Sequence, residues 1–357
     1  METIKTRIEK EHLFPYKWNL SDGYPAKGIE PNGLNIFGTF ICGGGSTMGY
    51  KLAGFNHLGG VEIDKKVAEV YRINHNPKYL FVEDIREFNK RTDLPAELYN
   101  LDILDGSPPC STFSSSGSRE KDWGKEKVFR EGQQFQTLDD LVFVYCDTII
   151  KLQPKVFILE NVKGIISGNA KSYSKKIVEK MRLAGYEVQV FLLNAASMGV
   201  PQMRERCFFI GYKSELKFPK LVLNFNETPI KFKEIKGDFG NPNSDHDNAI
   251  WESRRVGEQD FGATLVRIGK KESNWNSKYV YDEKVCKTII STSGSKLIEF
   301  KHPFHLGNDK LKQIGSYPMD YDFMKIEAKY LIGMSVPPVM TAQIANQIKK
   351  QWFDYAK

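Results

Sequence analysis

Residues 34–50 read LNIFGTFICGGGSTMGY. An apolar run of strand character enters a cluster of glycines, and Gly49–Phe55 beyond it continues as part of a helix. Glycines at a strand-to-helix turn let the backbone come close to a ligand, and the first turn of the helix offers unpaired N–H donors. Outward from this point the alternation repeats. HLGGVEID (57–64) reads as a second strand and KKVAEVYRINH (65–75) as a second helix. YLFVEDI (79–85), LDILDGSPP (101–109) and PKVFILENV (154–162) read as further strands. LDDLVFVYCDTIIKLQP (138–154) has helical periodicity and leads into the last of them. Strands alternating with helices predict right-handed βαβ units, an α/β fold and a mostly parallel sheet.

The chain divides by composition. Residues 1–34 are polar, with Pro and Gly, and read as an N-terminal extension. Residues 35–212 carry the α/β pattern. Residues 213–325 are rich in Lys, Asn, Asp, Gly and Ser and nearly balanced in charge, with short β-like pieces at KYVYD (278–282) and VCKTIIST (285–292). They read as a smaller, irregular, mostly-β domain. Residues 326–357 form a C-terminal segment that ends in a helix whose start is marked by Pro337-Pro338. With 41% hydrophobic and 27% charged residues the chain reads as a globular protein. No apolar run reaches the ~20 residues of a membrane span, and the first residues lack a signal-peptide core. Five scattered cysteines without a CxxC pair argue against a disulfide framework or a zinc site and fit a reducing cytoplasm. A net charge of +7 permits a polyanionic partner without requiring one.

Acids close two of the strands. Glu62 ends VEID, where a carboxylate suits a ribose hydroxyl pair, and Asp84 ends VEDI, where one can accept from an adenine amino group. With the glycine turn they predict a nucleotide-type ligand. NAD would fit this half equally well, so these positions leave the cofactor open.

GSPPCSTFSSSG (106–117) is the most informative segment. Cys110 follows a strand, where open α/β sheets bind ligands, and two prolines stiffen its approach. Cys42, Cys146, Cys207 and Cys286 have apolar or aromatic neighbours and read as structural; Cys110 lies among Pro, Ser and Thr and reads as a nucleophile. The following Ser114–Gln134, punctuated by Gly117, Gly124 and Gly132 and carrying Arg119, Lys121, Lys125, Lys127 and Arg130, reads as a mobile lid. Glu160 directly follows the apolar run VFIL, where a carboxyl group can donate a proton to a ring nitrogen. NAASMGVPQMRERCFFIGY (194–212) brings Gln202, Arg204 and Arg206 before another strand. Alternate residues of an extended segment share a face, so the two arginines can grip a carbonyl, a phosphate or a carboxylate.

Taken together, in order and spacing, these segments resemble the C5-cytosine DNA methyltransferases of the bacterial or phage modification type. The resemblance covers roughly residues 35–212 and 285–345. The glycine turn resembles the family's first motif, Pro108-Pro109-Cys110 its catalytic motif, Glu160-Asn161-Val162 its ENV motif and Gln202–Arg206 its QxRxR motif. KTIIST (287–292) resembles the ninth motif and IGMSVPP (332–338) the tenth. There are departures: Thr39 stands where the first motif's strand usually has an acid, the turn is longer than in the simplest members, and Met334 replaces the usual Asn of the tenth motif.

The resemblance implies a Rossmann-like S-adenosylmethionine-dependent sheet with helices on both faces. Residues 35–212 would be the catalytic and cofactor-binding domain and 213–325 the target-recognition domain. It implies a methyl transfer from S-adenosyl-L-methionine, leaving S-adenosyl-L-homocysteine, to C5 of a cytosine flipped out of double-stranded DNA. Cys110 would add to C6, Glu160 would hold and protonate N3, Arg206 would hold O2 with Arg204 beside it, and Pro109 would shape the pocket wall. The donor would lie on Gly43 and Gly45, with Glu62 on the ribose, Ile41 and Ile63 flanking the adenine, Asp84 and Ile85 at its edge, and Leu141 and Ser335 near the methionine half. No metal is implied. A monomer in the bacterial cytoplasm, associated with the nucleoid and not with a membrane, is expected, with a cognate restriction endonuclease as a possible companion. A tRNA cytosine methyltransferase of the same fold is the nearest rival, but the Cys-Phe-Thr signature of the eukaryotic tRNA-methylating members is missing. A catalytically inactive DNA-binding homologue is opposed by the intact Cys110, Glu160 and Arg206. A nicotinamide-dependent oxidoreductase leaves PPC and QxRxR without a role. The target sequence is assigned to residues 213–285, where no code is readable.

Overall fold

In a computed structural model of the chain, residues 12–109, 140–167, 170–271, 273, 277–292 and 294–355 are described. Cys110 and the expected lid, Ser114–Gln134, lie outside them. The strand that enters the glycine segment is β1 (Asn35–Thr39). It is followed by β2 (Asn56–Val61), β3 (Tyr79–Phe81), β4 (Ile103–Gly106), β5 (Val156–Val162), β6 (Tyr186–Asn194) and, after the short β7 (Gln202–Met203), β8 (Glu205–Lys213). Seven of these form one sheet in the order β3-β2-β1-β4-β5-β8-β6. β1 to β5 run parallel, and β8 is antiparallel to both β5 and β6. The reversal follows from length: residues 195–204 are too few for the crossover that a parallel return requires.

Successive residues of the inner strands enter two different cores. Ile36, Ile103, Val156, Ile158, Phe208 and Ile210 belong to one, and Phe37, Leu104, Phe157, Leu159, Cys207 and Phe209 to the other. Such strands are buried on both faces and read as continuous apolar runs. Each large apolar side chain removed from water contributes about 1.5–3 kcal/mol. The first core is covered by α1 (Gly45–Leu52), α2 (Lys65–His75) and α10 (Pro338–Ile348), the second by α3 (Ile85–Lys90), α4 (Leu141–Leu152) and α5 (Lys171–Leu183). The expected α/β sheet with helices on both faces is present. The Pro pair does open a helix, and α10 crosses α1 closely: a Cβ at Gly49 would overlap the Pro338 carbonyl.

A second sheet has the order β10-β12-β13-β9, formed by β9 (Asn241–Pro242), β10 (Ser277–Val280), β12 (Lys296–Glu299) and β13 (Phe304–His305). Two helices, α6 (Asp245–Glu252) and α7 (Phe261–Arg267), pack on it around Ile250, Phe261, Leu265, Tyr279 and Ile298. Both are short, and side-chain caps start them: Ser244 accepts from the Asp247 N–H and Asp260 from the Ala263 N–H. β11 (Cys286–Lys287) leaves this unit to pair with β7. α8 (Asn308–Ile314) and α9 (Ala328–Met334) then lead back to α10. Residues 12–34 are packed against the main body: Phe14 and Trp18 lie in the first core, and the Trp18 indole N–H donates to the Ser316 carbonyl at 3.0 Å. Leu221, Ile230, Phe232 and Ile235 lie in that core too, so it reaches past residue 213.

Candidate active site

Because β1 to β5 are parallel, the turns that follow β1, β2, β3 and β4 and the end of β5 share one edge of the sheet. The turn after β1 is tightly wound, with Phe40 (φ 54°), Cys42 (φ 48°) and Gly44 (φ 79°) in the left-handed region. Neighbours clamp it. The Cys42 N–H donates to Glu62 Oε2 at 2.9 Å and the Asp64 N–H to Oε1 at 2.9 Å, so Glu62 ties the turn to the end of β2. Burial raises the Glu62 carboxyl above the usual range, and these N–H bonds oppose the rise. The Gly43 carbonyl accepts from the Tyr321 hydroxyl and from His75 Nε2 at 3.2 Å. Burial lowers the His75 imidazole to about 3, so it is neutral and carries its proton on Nε2. Nδ1 of the same ring is buried without a partner. A side chain at Gly44 would overlap His75, and one at Gly45 would overlap the Val336 carbonyl. Here the glycines are demanded by protein packed behind the turn.

The other donor-site candidates divide into two kinds. Ile63 is 36% exposed and Ile41 half-buried, and they bracket Glu62 with apolar surface. Ile85 and Leu141 are buried in the second core, which leaves their main chain as what they can offer a ligand. Asp84 starts α3 by accepting from the Arg86 N–H at 2.7 Å, and Arg86 bridges it to Asp140, the residue before α4. The Ser335 hydroxyl is buried, pairs with the Tyr317 hydroxyl at 2.6 Å and donates to the Leu331 carbonyl. It packs against Gly45 from behind.

On the other half of the edge, Glu160 is buried on β5 and its Oε1 lies 3.0 Å from Arg206 Nε. The strands set this pair: β8 runs antiparallel to β5 with Arg206 opposite Val162. Arg206 also donates to the Glu205 carbonyl at 2.8 Å. Burial lowers its pKa, and the Glu160 charge holds the proton on. Arg204, only 2% exposed, donates to the Ile289 carbonyl at 3.3 Å and the Gly333 carbonyl at 2.9 Å. Gln202 takes the Ile289 N–H and donates to the Ile314 carbonyl. Of this motif, then, Arg206 meets Glu160, whereas Gln202 and Arg204 hold the backbone of the segments around residues 289, 314 and 333. Asn161, buried beside Glu160, donates to the Pro108 carbonyl at 3.2 Å and so fixes the prolines next to the acid.

A model of the C-5 cytosine-specific DNA methylase family matches residues 34–350. The chain belongs to this family. It is similar to the Type II methyltransferase M.DdeI of Desulfomicrobium norvegicum, 27% identical over 90% of this chain and 89% of the relative. It is 34% identical to the Type II methyltransferase M.FnuDI of Fusobacterium nucleatum over 57% of this chain and 53% of that one. Among solved structures it shares its fold with a protein described as a DNA modification methyltransferase of an E. coli prophage. The TM-score is 0.63 at 20% identity, over 89% of this chain and 99% of that one. The protein is accordingly a DNA cytosine-5 methyltransferase.

For a C-5 cytosine DNA methylase the geometry brings Glu160, Arg206 and Pro109 to one end of the sheet edge and Gly43, Gly45, Glu62, Ile63 and Asp84 to the other. The residues that hold these groups escaped the sequence reading. Asn161 stood inside a quoted motif, yet its partner is a main-chain carbonyl 53 residues away. His75 and Tyr321 reach the turn from remote segments and left no local signal. Among the described residues no group of three or more His, Cys, Asp or Glu is placed to hold a metal ion, and no helix is long and apolar enough to cross a membrane.

Proposed function

We propose that this methylase transfers a methyl group from S-adenosylmethionine to C5 of a cytosine flipped out of a specific double-stranded DNA sequence, through a covalent bond between Cys110 and C6. The observation that carries the reading is the Glu160–Arg206 ion pair beside Pro108-Pro109, at the same sheet edge as the glycine turn. The donor set fits S-adenosylmethionine: a carboxylate on Glu62, apolar surface on Ile41 and Ile63, and the open start of α1. Bound there, S-adenosylmethionine supplies an electrophilic methyl group. Glu62 would hold the ribose hydroxyls, Ile41 and Ile63 would enclose the adenine, and the Asp84–Ile85 turn would meet its edge. Gly43 and Gly45 would take the methionine end, with Ser335 backing the turn and Leu141 at the start of α4.

The target ring is electron-poor, and three groups of the chain act on it. The Cys110 thiolate adds to C6. Glu160, after taking up a proton from solvent, delivers it to N3, which draws electron density from the C5–C6 bond, and Arg206 holds the O2 carbonyl. Their mutual ion pair keeps both side chains aimed before DNA arrives. Arg204 acts through the backbone it holds. After methylation the C5 proton passes to solvent, its bonding pair re-forms the C5–C6 double bond as the C6–S bond breaks and releases the Cys110 thiolate, and N3 returns its proton to Glu160. The Type II relatives favour site-specific modification, with an endonuclease cutting the same sequence when unmethylated.

Bisulfite sequencing of a host without C5 methylation, expressing the protein, tests this. Cytosines within one short sequence should become protected. Cys110→Ser should abolish protection while S-adenosylmethionine binding survives, because the hydroxyl is nearly isosteric but a far weaker nucleophile. Residual activity within about tenfold of wild type, a ~1.4 kcal/mol barrier change, would remove Cys110 as nucleophile. Methylation of RNA in place of DNA would substitute the tRNA reading.

A further inference from the structure

Asp105, the third residue of β4, is a buried acid to which the mechanism above assigns no task; it is 6% exposed. Its Oδ1 accepts from the Tyr50 hydroxyl at 2.9 Å, and the Ser46 side chain donates to the same carboxylate. Ser46 and Tyr50 are one turn apart on α1, so both present one face of that helix to the acid. β1 pairs with β4 so that Gly38 lies opposite Asp105 and Thr39 opposite Gly106. The Thr39 hydroxyl donates to the Asp105 carbonyl at 3.2 Å. Thr39 is the position at which the resembling family carries an acid. Here the acid stands on the adjacent strand, in the neighbouring register position, and grips the first turn of the helix that the glycine segment opens.

We propose that Asp105 is the positioning acid of the donor site: its carboxylate, carried on β4, clamps Ser46 and Tyr50 so that the glycine turn accepts S-adenosylmethionine, and its negative charge favours the donor's net positive charge. This rests on the reading of the glycine turn as the donor site. Two features support a role for the charge as well as the shape. The carboxyl is pushed up to about 7 by burial, with the hydrogen bonds from Tyr50 and Ser46 opposing and the Glu160 charge adding to the rise. The tyrosines and the histidine around it do not change charge near neutrality. Tyr50 from α1, Tyr71 from α2 and Tyr145 from α4 are all raised by burial and stay neutral. His57, behind the turn, is lowered by burial and stays neutral, and Glu160 from β5 is paired with Arg206.

The sign follows. A cationic donor binds the ionised form better, so affinity is full above the titration of Asp105 and lost as pH falls through it. At pH 6 about a tenth of the carboxyl groups remain ionised, and with a neutral form that binds about tenfold more weakly the affinity falls about fivefold relative to pH 8. Calorimetric titration with S-adenosylmethionine across pH 6–8 tests this. Asp105→Asn should flatten the pH dependence relative to wild type and weaken binding at pH 8 about tenfold; the donor's own ionisation is common to both proteins and cancels. Tyr50→Phe removes a donor to the charged form and should move the midpoint to higher pH. An Asp105→Asn protein that binds as wild type does, with the same profile, would overturn the proposal. If that variant does not fold, an unmoved midpoint in Tyr50→Phe overturns it instead. A wild-type protein that binds no S-adenosylmethionine at any pH would sink the donor-site reading, and this inference with it.

Discussion

Glu160 and Arg206 form one unit, and a change in either is a change in both. Glu160 is buried and Arg206 half-buried, and such an ion pair is sensitive to losing a single partner, which strands the other charge. Glu160→Gln keeps the shape and the hydrogen-bonding reach but cannot deliver a proton. It should lower kcat by about 10²–10⁴-fold, the range of general acid catalysis. The proposed donor site lies on other strand ends, so S-adenosylmethionine affinity, read by calorimetry, should stay near the wild-type value. A variant that lost donor binding and catalysis together would show that Glu160 is mainly a structural support. Glu160 and Arg206 were legible in the sequence because each lies on a strand of apolar core and its chemistry is out of place there. Asn161, Asp105 and His75 were not, because what they hold is main chain or a hydroxyl on another element. Long-range contacts of that kind leave no periodicity to read.

At the scale of elements, the strand–turn–helix at residues 35–52 is where local sequence and tertiary packing agree least. The sequence explains glycine as room for a ligand, but Gly44 and Gly45 are needed first by His75 and Val336 packed behind them. Gly44→Ala tests this. A left-handed residue with a Cβ costs about 1–2 kcal/mol, and overlap in a packed site a further ~1–3. Gly185, with φ 89° and open space around it, provides the control. Gly185→Ala should show only the backbone cost in a urea melt, and Gly44→Ala distinctly more. Equal losses would mean that His75 moves aside freely and that the turn is not held from behind. The helices show the same division. α2 spans the same residues, 65–75, that its apolar spacing predicts, since Asp64 caps its start and Asn76 ends it in the left-handed region. α6 and α7 went unread because they are short, eight and seven residues, and owe their burial to a sheet assembled from distant strands.

At the scale of the whole molecule, the second sheet sets the boundaries at which the proposed target-recognition unit can be cut from the main body. The sequence placed specificity in residues 213–285, a boundary drawn on composition. The structure puts β9 and β10 before residue 285 and their partners β13 and β12 after it. A transplant of 213–285 would therefore separate paired strands, and it would also remove Leu221, Ile230, Phe232 and Ile235 from the main core. Residues 241–305 keep all four strands, α6 and α7 in one piece; β11 and Ile289 within them belong to the main body, where β11 pairs with β7 and Ile289 enters the first core, so the hybrid retains the host's residues 285–292. Entry and exit meet as well: a Cβ at Gly240 would overlap the His305 carbonyl and the Gly307 nitrogen. Replacing 241–305 with the matching segment of a relative of different specificity should give a folded hybrid that methylates the relative's sequence, read by bisulfite sequencing. The 213–285 hybrid should melt lower or fail to fold. Filter binding of the active hybrid should weaken with salt, because phosphate contacts release counterions. An active 241–305 hybrid that kept the host's methylation pattern would place recognition outside the second sheet, on the body that carries the active site.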